Sequence, residues 1–97
     1  MWVGTIEFAL LLGDVHTLKE KRAFVRPLVS DLRRTFEVSV AETDDQDLYR
    51  RASIGVAVVA GDNSHVIAVL DKLERFVAGR PEVDLLATHR SFFNTED

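Results

Sequence analysis

The first pattern along the chain is an alternation between two sets of side chains. From Trp2 to Leu12, one set that includes Ile6, Phe8 and Leu10 alternates with a set that includes Glu7. This period of two predicts a strand, because successive side chains of a strand point to opposite faces of its sheet. Three later segments, rich in β-branched residues, are also predicted as strands: 37–43, 52–60 and 82–93.

Two other segments repeat their apolar residues with a helical period. The first follows Thr17, which with Glu20 forms a capping-box signature, so a helix is predicted to begin at Leu18. The second follows Asp62, a favourable N-cap residue, and ends at Gly79. The apolar positions predicted to face the core are Leu18, Val25, Leu28, Val29, Leu32 and Phe36, then Val66, Leu70, Leu73 and Val77.

The resulting order is βαββαβ. Two right-handed crossovers and one hairpin arrange it as an α+β ferredoxin-like sandwich, with a four-stranded antiparallel sheet and both helices on one face. The 97 residues are enough for one domain, predicted over 1–93 and followed by a polar tail over 94–97. The register of the last strand stays open, because Leu85 and Leu86 compete for the inward position.

The composition excludes several classes of protein. The chain has no Cys, which removes disulfides, thiolate nucleophiles and thiolate metal sites. Its 46% apolar and 29% charged residues are ordinary for a globular protein. The apolar start carries Glu7 and lacks a basic segment and a cleavage site, so neither a signal peptide nor a membrane span is predicted. The expected location is the cytoplasm.

The stretch AETDDQDLYRR, at 41–51, contains four carboxylates within six residues. An EF-hand loop starting at Asp45 would need Gly at its sixth position, where this chain has Arg50. The three His fall on separate elements, so a zinc site is not expected either. Exposed carboxylates beside arginines stay ionised, which does not favour acid–base catalysis. We interpret the stretch as a charged hairpin near the positive N-terminus of the first helix, and we predict no catalytic residue, metal or cofactor.

Charge is distributed unevenly. Residues 16–36 contain six basic and two acidic side chains, a net +4, which leaves −8 for the remainder of a chain whose total is −4. On a helical wheel centred on Leu18, the cations Lys19, Arg22, Arg26 and Arg33 lie between about 40° and 100°, on one flank. Such a flank is either a solvated surface or a row of phosphate contacts for RNA.

The RNA hypothesis names two sets of residues at one end of the predicted fold. The phosphate contacts would be Lys19, Lys21, Arg22, Arg26 and Arg33. The rim of the binding surface would be Glu42, Asp44, Gln46, Asp47, Arg50 and Arg51.

The outer face of the sheet, turned away from the helices, suggests an alternative function. A solvated antiparallel sheet normally places polar residues on that side, whereas here Glu7 is the main charge among apolar residues: Val3, Ala9, Leu11, Ala41, Ala57 and Val59. The leading alternative function is therefore a homodimer or a complex with a protein partner that covers this face. The other interpretation of the face is an ordinary, modestly apolar surface with no partner. Base stacking of the RRM type is excluded, because the strand 52–60 has no aromatic residue. A small-molecule or catalytic site near Asp44 and Asp47 is a distant third possibility.

Two motifs resemble the YlxP-like family of small bacterial proteins: TLKEKR at 17–22 and VAETDDQDLYRRASIGVAVV at 40–59. The resemblance extends nearly end to end, and RFV and RPE recur at 75–77 and 80–82. It implies a ferredoxin-like fold but no activity, because the family is one of unknown function. Family genes often neighbour translation genes, including that of ribosome-binding factor A. The resulting prediction is a non-enzymatic binding protein associated with RNA or the ribosome.

Overall fold

A computed structural model describes residues 1–44 and 48–96, which form the predicted βαββαβ order. The four strands are antiparallel and lie in the order β2-β3-β1-β4, with one hydrophobic core between the sheet and the two helices. The ferredoxin-like α+β prediction is thus confirmed. The elements are β1 Trp2–Leu12, α1 Leu18–Phe36, β2 Ser39–Asp44, β3 Arg51–Ala60, α2 Asn63–Ala78 and β4 Val83–Asn94.

Both helices begin where side-chain caps predicted them to begin. The hydroxyl of Thr17 accepts a hydrogen bond from the backbone N–H of Glu20 at 3.1 Å. A carboxylate oxygen of Asp62 accepts from the backbone N–H of His65 at 2.8 Å. Each cap satisfies a backbone donor that has no partner inside the helix, which stabilises the start by about 1 kcal/mol.

Helix α1 ends in a left-handed residue that sequence reasoning placed in the next strand. Glu37 has φ 53°, and its backbone N–H donates to the carbonyl of Arg33 at 2.9 Å. This conformation is unfavourable for a residue with a Cβ, and it turns the chain out of the helix. Strand β2 consequently begins at Ser39, two residues later than predicted.

The buried face of α1 is rotated from the predicted one. Lys21, Val25, Leu28 and Leu32 are its buried residues, whereas Leu18 remains 38% exposed. On the helical wheel the centre of this face lies about 50° from the position of Leu18. The prediction that Leu18 belongs to the core was therefore wrong.

The register of β4, which the sequence left open, is decided by a bulge. Leu85 pairs with Leu10 on the helix side of the sheet and is partly buried, whereas Leu86 is exposed. The pairing shifts by one residue between Ala9 and Leu10, so the extra residue is absorbed there. At its far end β4 extends to Asn94, one residue into the predicted tail.

Gly4 allows α2 to approach the sheet closely. A Cβ at this position would lie 2.1 Å from Cγ1 of Val66, which is fully buried on α2. A side chain fits there only if Val66, the helix or the strand moves. The packing of α2 therefore depends on a residue without a side chain on β1.

Candidate nucleic-acid interface

The start of α1 and the chain after the acidic hairpin meet at one end of the molecule, as the topology predicted. The backbone N–H of Leu12, at the end of β1, donates to the carbonyl of Arg50 at 2.8 Å. The ammonium group of Lys21 donates to the carbonyl of Leu48 at 2.7 Å. These two bonds attach the segment before β3 both to the sheet and to α1.

Lys21 was predicted to contact phosphate, and its position contradicts that prediction. Only 3% of its surface is exposed, and its Nζ lies 2.8 Å from Oε2 of Glu42 on β2. A buried ammonium must be paired, because leaving it without a partner in the interior costs several kcal/mol. Lys21 is therefore a structural cation that joins α1 to β2. Glu42, predicted as part of the rim, is its partner.

Arg33, another predicted phosphate contact, is engaged with the sheet. Its Nη2 donates to the carbonyl of Val40 at 2.6 Å, in a partly buried bond. Strand β2 is an edge strand, so its outer carbonyl groups have no neighbouring strand to pair with. Arg33 covers one of these groups through a single guanidinium nitrogen, while the residue as a whole remains exposed.

The three remaining cations, Lys19, Arg22 and Arg26, form what we call the basic flank. All three are exposed, and within residues 1–44 and 48–96 none of them forms an ion pair. By contrast, Arg34, Arg80 and Arg90 each contact a carboxylate at 2.7–2.9 Å. The basic flank is thus a cationic surface whose charge is not neutralised by the described residues around it.

Arg22 and Arg26 stand between two depressions on the surface. The larger, of about 560 Å³, is also lined by Lys19 and Pro27. The smaller, of about 210 Å³, reaches the ion pair of Lys21 and Glu42. Both depressions are therefore bordered by the same two guanidinium groups, which suits the recognition of an anionic ligand such as phosphate.

The predicted rim is only partly described by the structure. Asp44, Arg50 and Arg51 are exposed, as a rim requires. Gln46 and Asp47 lie outside the described residues, and so does most of the third candidate site, which paired Asp47 with Asp44.

Sequence reasoning missed an exposed aromatic residue at this end. Tyr49 is 44% exposed, and together with Leu48, Arg50 and Arg51 it borders a depression of about 350 Å³. An exposed aromatic ring beside arginines is the arrangement on which unpaired bases stack. The sequence LYRR at 48–51 contained this signal, which the neighbouring carboxylates obscured.

The outer face of the sheet contains a further depression, of about 460 Å³. Across it, the hydroxyl of Thr43 donates to Oε2 of Glu7 at 2.6 Å, spanning from β2 to β1. The side chain of Thr43 passes over Gly55 of β3, where a Cβ would lie 2.5 Å from its methyl group. The small residues of this face therefore create both the depression and the path of that hydrogen bond.

Residues 1–44 and 48–96 contain neither a metal-binding cluster nor a membrane-spanning helix. No group of three or more His, Asp or Glu lies close enough together to hold a metal ion in that part of the chain. Neither of its two helices combines the length and the apolar character that crossing a bilayer requires.

Comparison with known proteins relates the chain to a family and to a fold. The family model described as "Protein of unknown function (DUF503)" matches residues 3–90. The "Uncharacterized protein YlxP" of Bacillus subtilis (strain 168) is 29% identical over 91 residues, which are 94% of this chain and 99% of that protein. The resemblance inferred from the motifs at 17–22 and 40–59 is thereby confirmed.

Two solved structures are similar in fold. The de novo designed protein LFR1 1, with a ferredoxin fold, has a TM-score of 0.55 at 11% identity, covering 100% of this chain and 89% of that one. The cofactor-independent oxygenase SnoaB from Streptomyces nogalater has a TM-score of 0.49 at 10% identity, covering 99% and 94%. The designed protein supports the ferredoxin-like fold, and a shared fold does not imply a shared activity.

Proposed function

Since the chain belongs to the DUF503 family of proteins of unknown function, we propose from its geometry that it is a non-enzymatic binding protein that contacts RNA through the basic flank. One observation carries this proposal. Lys19, Arg22 and Arg26 are exposed on successive turns of one helix, and none of them forms an ion pair with a described carboxylate. Three unpaired cations in a row attract a polyanion more strongly than a single small anion.

The spacing of the basic flank supports contact with one segment of a nucleic-acid backbone. With a rise of 1.5 Å per residue, Arg22 and Arg26 lie about 6 Å apart along the helix axis, and Lys19 and Arg26 about 10 Å. Each guanidinium group can form two parallel hydrogen bonds with one phosphate. The flank therefore offers a short row of contacts rather than a single pocket.

The charge of the whole protein limits the strength of this binding. A net charge of −4 opposes the approach of any polyanion. Three phosphate contacts with single-stranded RNA would give a logarithmic salt dependence of about −2. A footprint of this size binds weakly, so the proposed partner is the ribosome in the cytoplasm, where protein surfaces supply further contacts.

Ribosome co-sedimentation of matched charge variants tests the proposal. Arg22→Gln/Arg26→Gln removes two charges from the basic flank while keeping most of each side chain. Lys72→Gln/Arg75→Gln removes two exposed charges from α2, on the same face of the sheet but on the other helix. We expect the first variant to lose co-sedimentation at low salt and the control to retain it, with circular dichroism confirming both folds.

Two results would contradict the proposal. In one, the Arg22/Arg26 variant co-sediments as strongly as the wild type, so that the basic flank is only a solvated surface. In the other, the wild type itself fails to co-sediment at low salt. An equal loss in both variants would indicate a general effect of charge and would also count against a specific flank.

A further inference from the structure

An apolar ridge crosses one end of the outer face of the sheet. Val3 of β1 pairs with Val59 of β3 on one side and with Phe93 of β4 on the other, so their side chains lie next to one another. Val59 is 60% exposed and Phe93 is 56% exposed. Exposed apolar residues that stand singly are common on any protein, whereas adjacent ones form a contiguous patch, which favours coverage by another surface.

The depression of about 460 Å³ lies on the same face, next to this ridge. Small residues line its centre, among them Ala41, Gly55 and Ala57. Val3 and Glu7 are four residues apart on β1, so about 13 Å separate the ridge from the row that carries Glu7. One face thus carries both a projecting apolar feature and a hollow large enough to receive it.

From this complementarity we infer that the protein forms a two-fold homodimer in which the outer faces of two sheets pack against each other. A two-fold axis that lies in the interface and crosses the strands near Thr5 places the ridge of each copy over the depression of the other. In such an isologous contact both subunits use the same surface patch, so the patch must be complementary to itself. Face-to-face packing of two sheets is a standard arrangement in β-sandwiches.

The size of the outer face agrees with this partner. Neighbouring strands lie about 4.8 Å apart, and each residue extends a strand by about 3.3 Å. Four strands of about ten residues therefore have a projected area of roughly 600 Å². A typical specific interface buries about 800 Å² on each partner, and the relief of the side chains adds to the projected value. A second copy of the chain can therefore cover the face fully.

The polar groups of the depression are compatible with burial. Glu7 carries a carboxylate there, and it accepts the hydroxyl of Thr43 at 2.6 Å. His89 of β4 stands opposite Glu7 in the strand register and offers an additional donor. A buried carboxylate with hydrogen-bond donors around it costs much less than one without them.

The edge of β2 is a poorer surface for self-association. Arg33 already bonds to the carbonyl of Val40 on that edge, so one acceptor that a second strand would need is occupied. A dimer formed through the outer face also leaves the helices uncovered, because they lie on the other face of the sheet. The basic flank of α1 therefore stays exposed in the dimer, and the inference does not depend on RNA binding.

Analytical ultracentrifugation of four proteins tests the homodimer. Ala57→Glu places a charge in the depression, and the two-fold axis doubles it. Ala68→Glu is the matched control, because Ala68 is exposed on α2, away from the outer face. Phe93→Ala shortens the ridge at an exposed position. We expect the wild type to be a dimer at micromolar concentration. Ala57→Glu and Phe93→Ala should each weaken the association at least tenfold, and Ala68→Glu should leave it unchanged.

The inference fails if the wild type sediments as a monomer up to near-millimolar concentration; the outer face then binds something other than a second copy. It also fails if Ala57→Glu and Phe93→Ala both dimerise like the wild type, or if Ala68→Glu weakens the dimer equally. Should Ala57→Glu disturb the fold by circular dichroism, Phe93→Ala alone decides, because the exposed ring of Phe93 is not part of the core.

Discussion

The ammonium group of Lys21 lies 2.8 Å from a carboxylate oxygen of Glu42, in a contact that joins the first turns of α1 to β2. The same ammonium donates to the carbonyl of Leu48 at 2.7 Å, so one buried cation connects three segments of the chain. Residues adjacent to Lys21 in sequence point to solvent. Lys21 therefore has a structural role, whereas the charged residues next to it in the sequence are exposed to solvent.

Removing one partner of this pair should destabilise the protein. Lys21→Met leaves Glu42 partly buried without its counter-ion, which costs about 3 kcal/mol; the 26% of the Glu42 side chain that is exposed reduces the effect. The double variant Lys21→Met/Glu42→Leu should recover much of this loss, because no unpaired charge remains. Urea unfolding measures both. Equal stability of the single variant and the wild type would show that the pair contributes nothing.

The rotated face of α1 predicts different costs for two leucines on the same helix. Leu32→Ala should lower the free energy of unfolding by about 2–5 kcal/mol, because Leu32 is fully buried. Leu18→Ala should cost much less, since Leu18 is 38% exposed. Both variants make the same Leu-to-Ala change, and urea unfolding measures the free energy of unfolding of each. Similar losses for both variants would contradict the rotation.

The close approach of α2 to the sheet makes Gly4 sensitive to a single methyl group. Gly4→Ala brings a Cβ to 2.1 Å from Val66 and should cost about 1–3 kcal/mol through overpacking. Gly61→Ala is the control, because a Cβ there meets nothing within 4 Å. Thermal unfolding should show a lower midpoint for the first variant alone. A Gly4→Ala protein as stable as the wild type would mean that the helix and strand separate at little cost.

The exposed ring of Tyr49 yields a prediction that depends on the proposed RNA binding. If an unpaired base stacks on this ring, Tyr49→Ala should weaken binding to a single-stranded oligonucleotide by about 1–3 kcal/mol. Tyr49→Phe keeps the aromatic face and should bind like the wild type. Fluorescence anisotropy with a labelled oligouridylate measures both variants. A loss in Tyr49→Phe as large as in Tyr49→Ala would assign the effect to the hydroxyl group instead.

Local sequence signals determined the order and type of the elements. Thr17 and Asp62 start the helices because a side-chain oxygen satisfies backbone donors only a few residues away, which needs no distant contact. The alternation in β1 identified its inward side chains, because the period of two is a property of the strand itself. From this order, chain connectivity restricts the topology to very few choices.

Only the tertiary structure decided the direction in which each face points. A helical wheel gives the angles between residues but not the orientation of the helix on the sheet. The partner on β2 brought Lys21 inward, so a predicted phosphate contact became part of the interior, while Arg22 stayed exposed. Likewise, the bulge opposite Ala9 and Leu10 settled the choice between Leu85 and Leu86.

In the candidate site, too, some features follow from the sequence and others only from the tertiary structure. The sequence determined which cations are available, and the topology brought the start of α1 next to the chain leading into β3. Which of the cations remain unpaired depends on distances between atoms far apart in the chain, such as Arg33 and the carbonyl of Val40. The exposure of Tyr49 and the pairing of Val3 with Phe93 are likewise long-range properties that no short segment encodes.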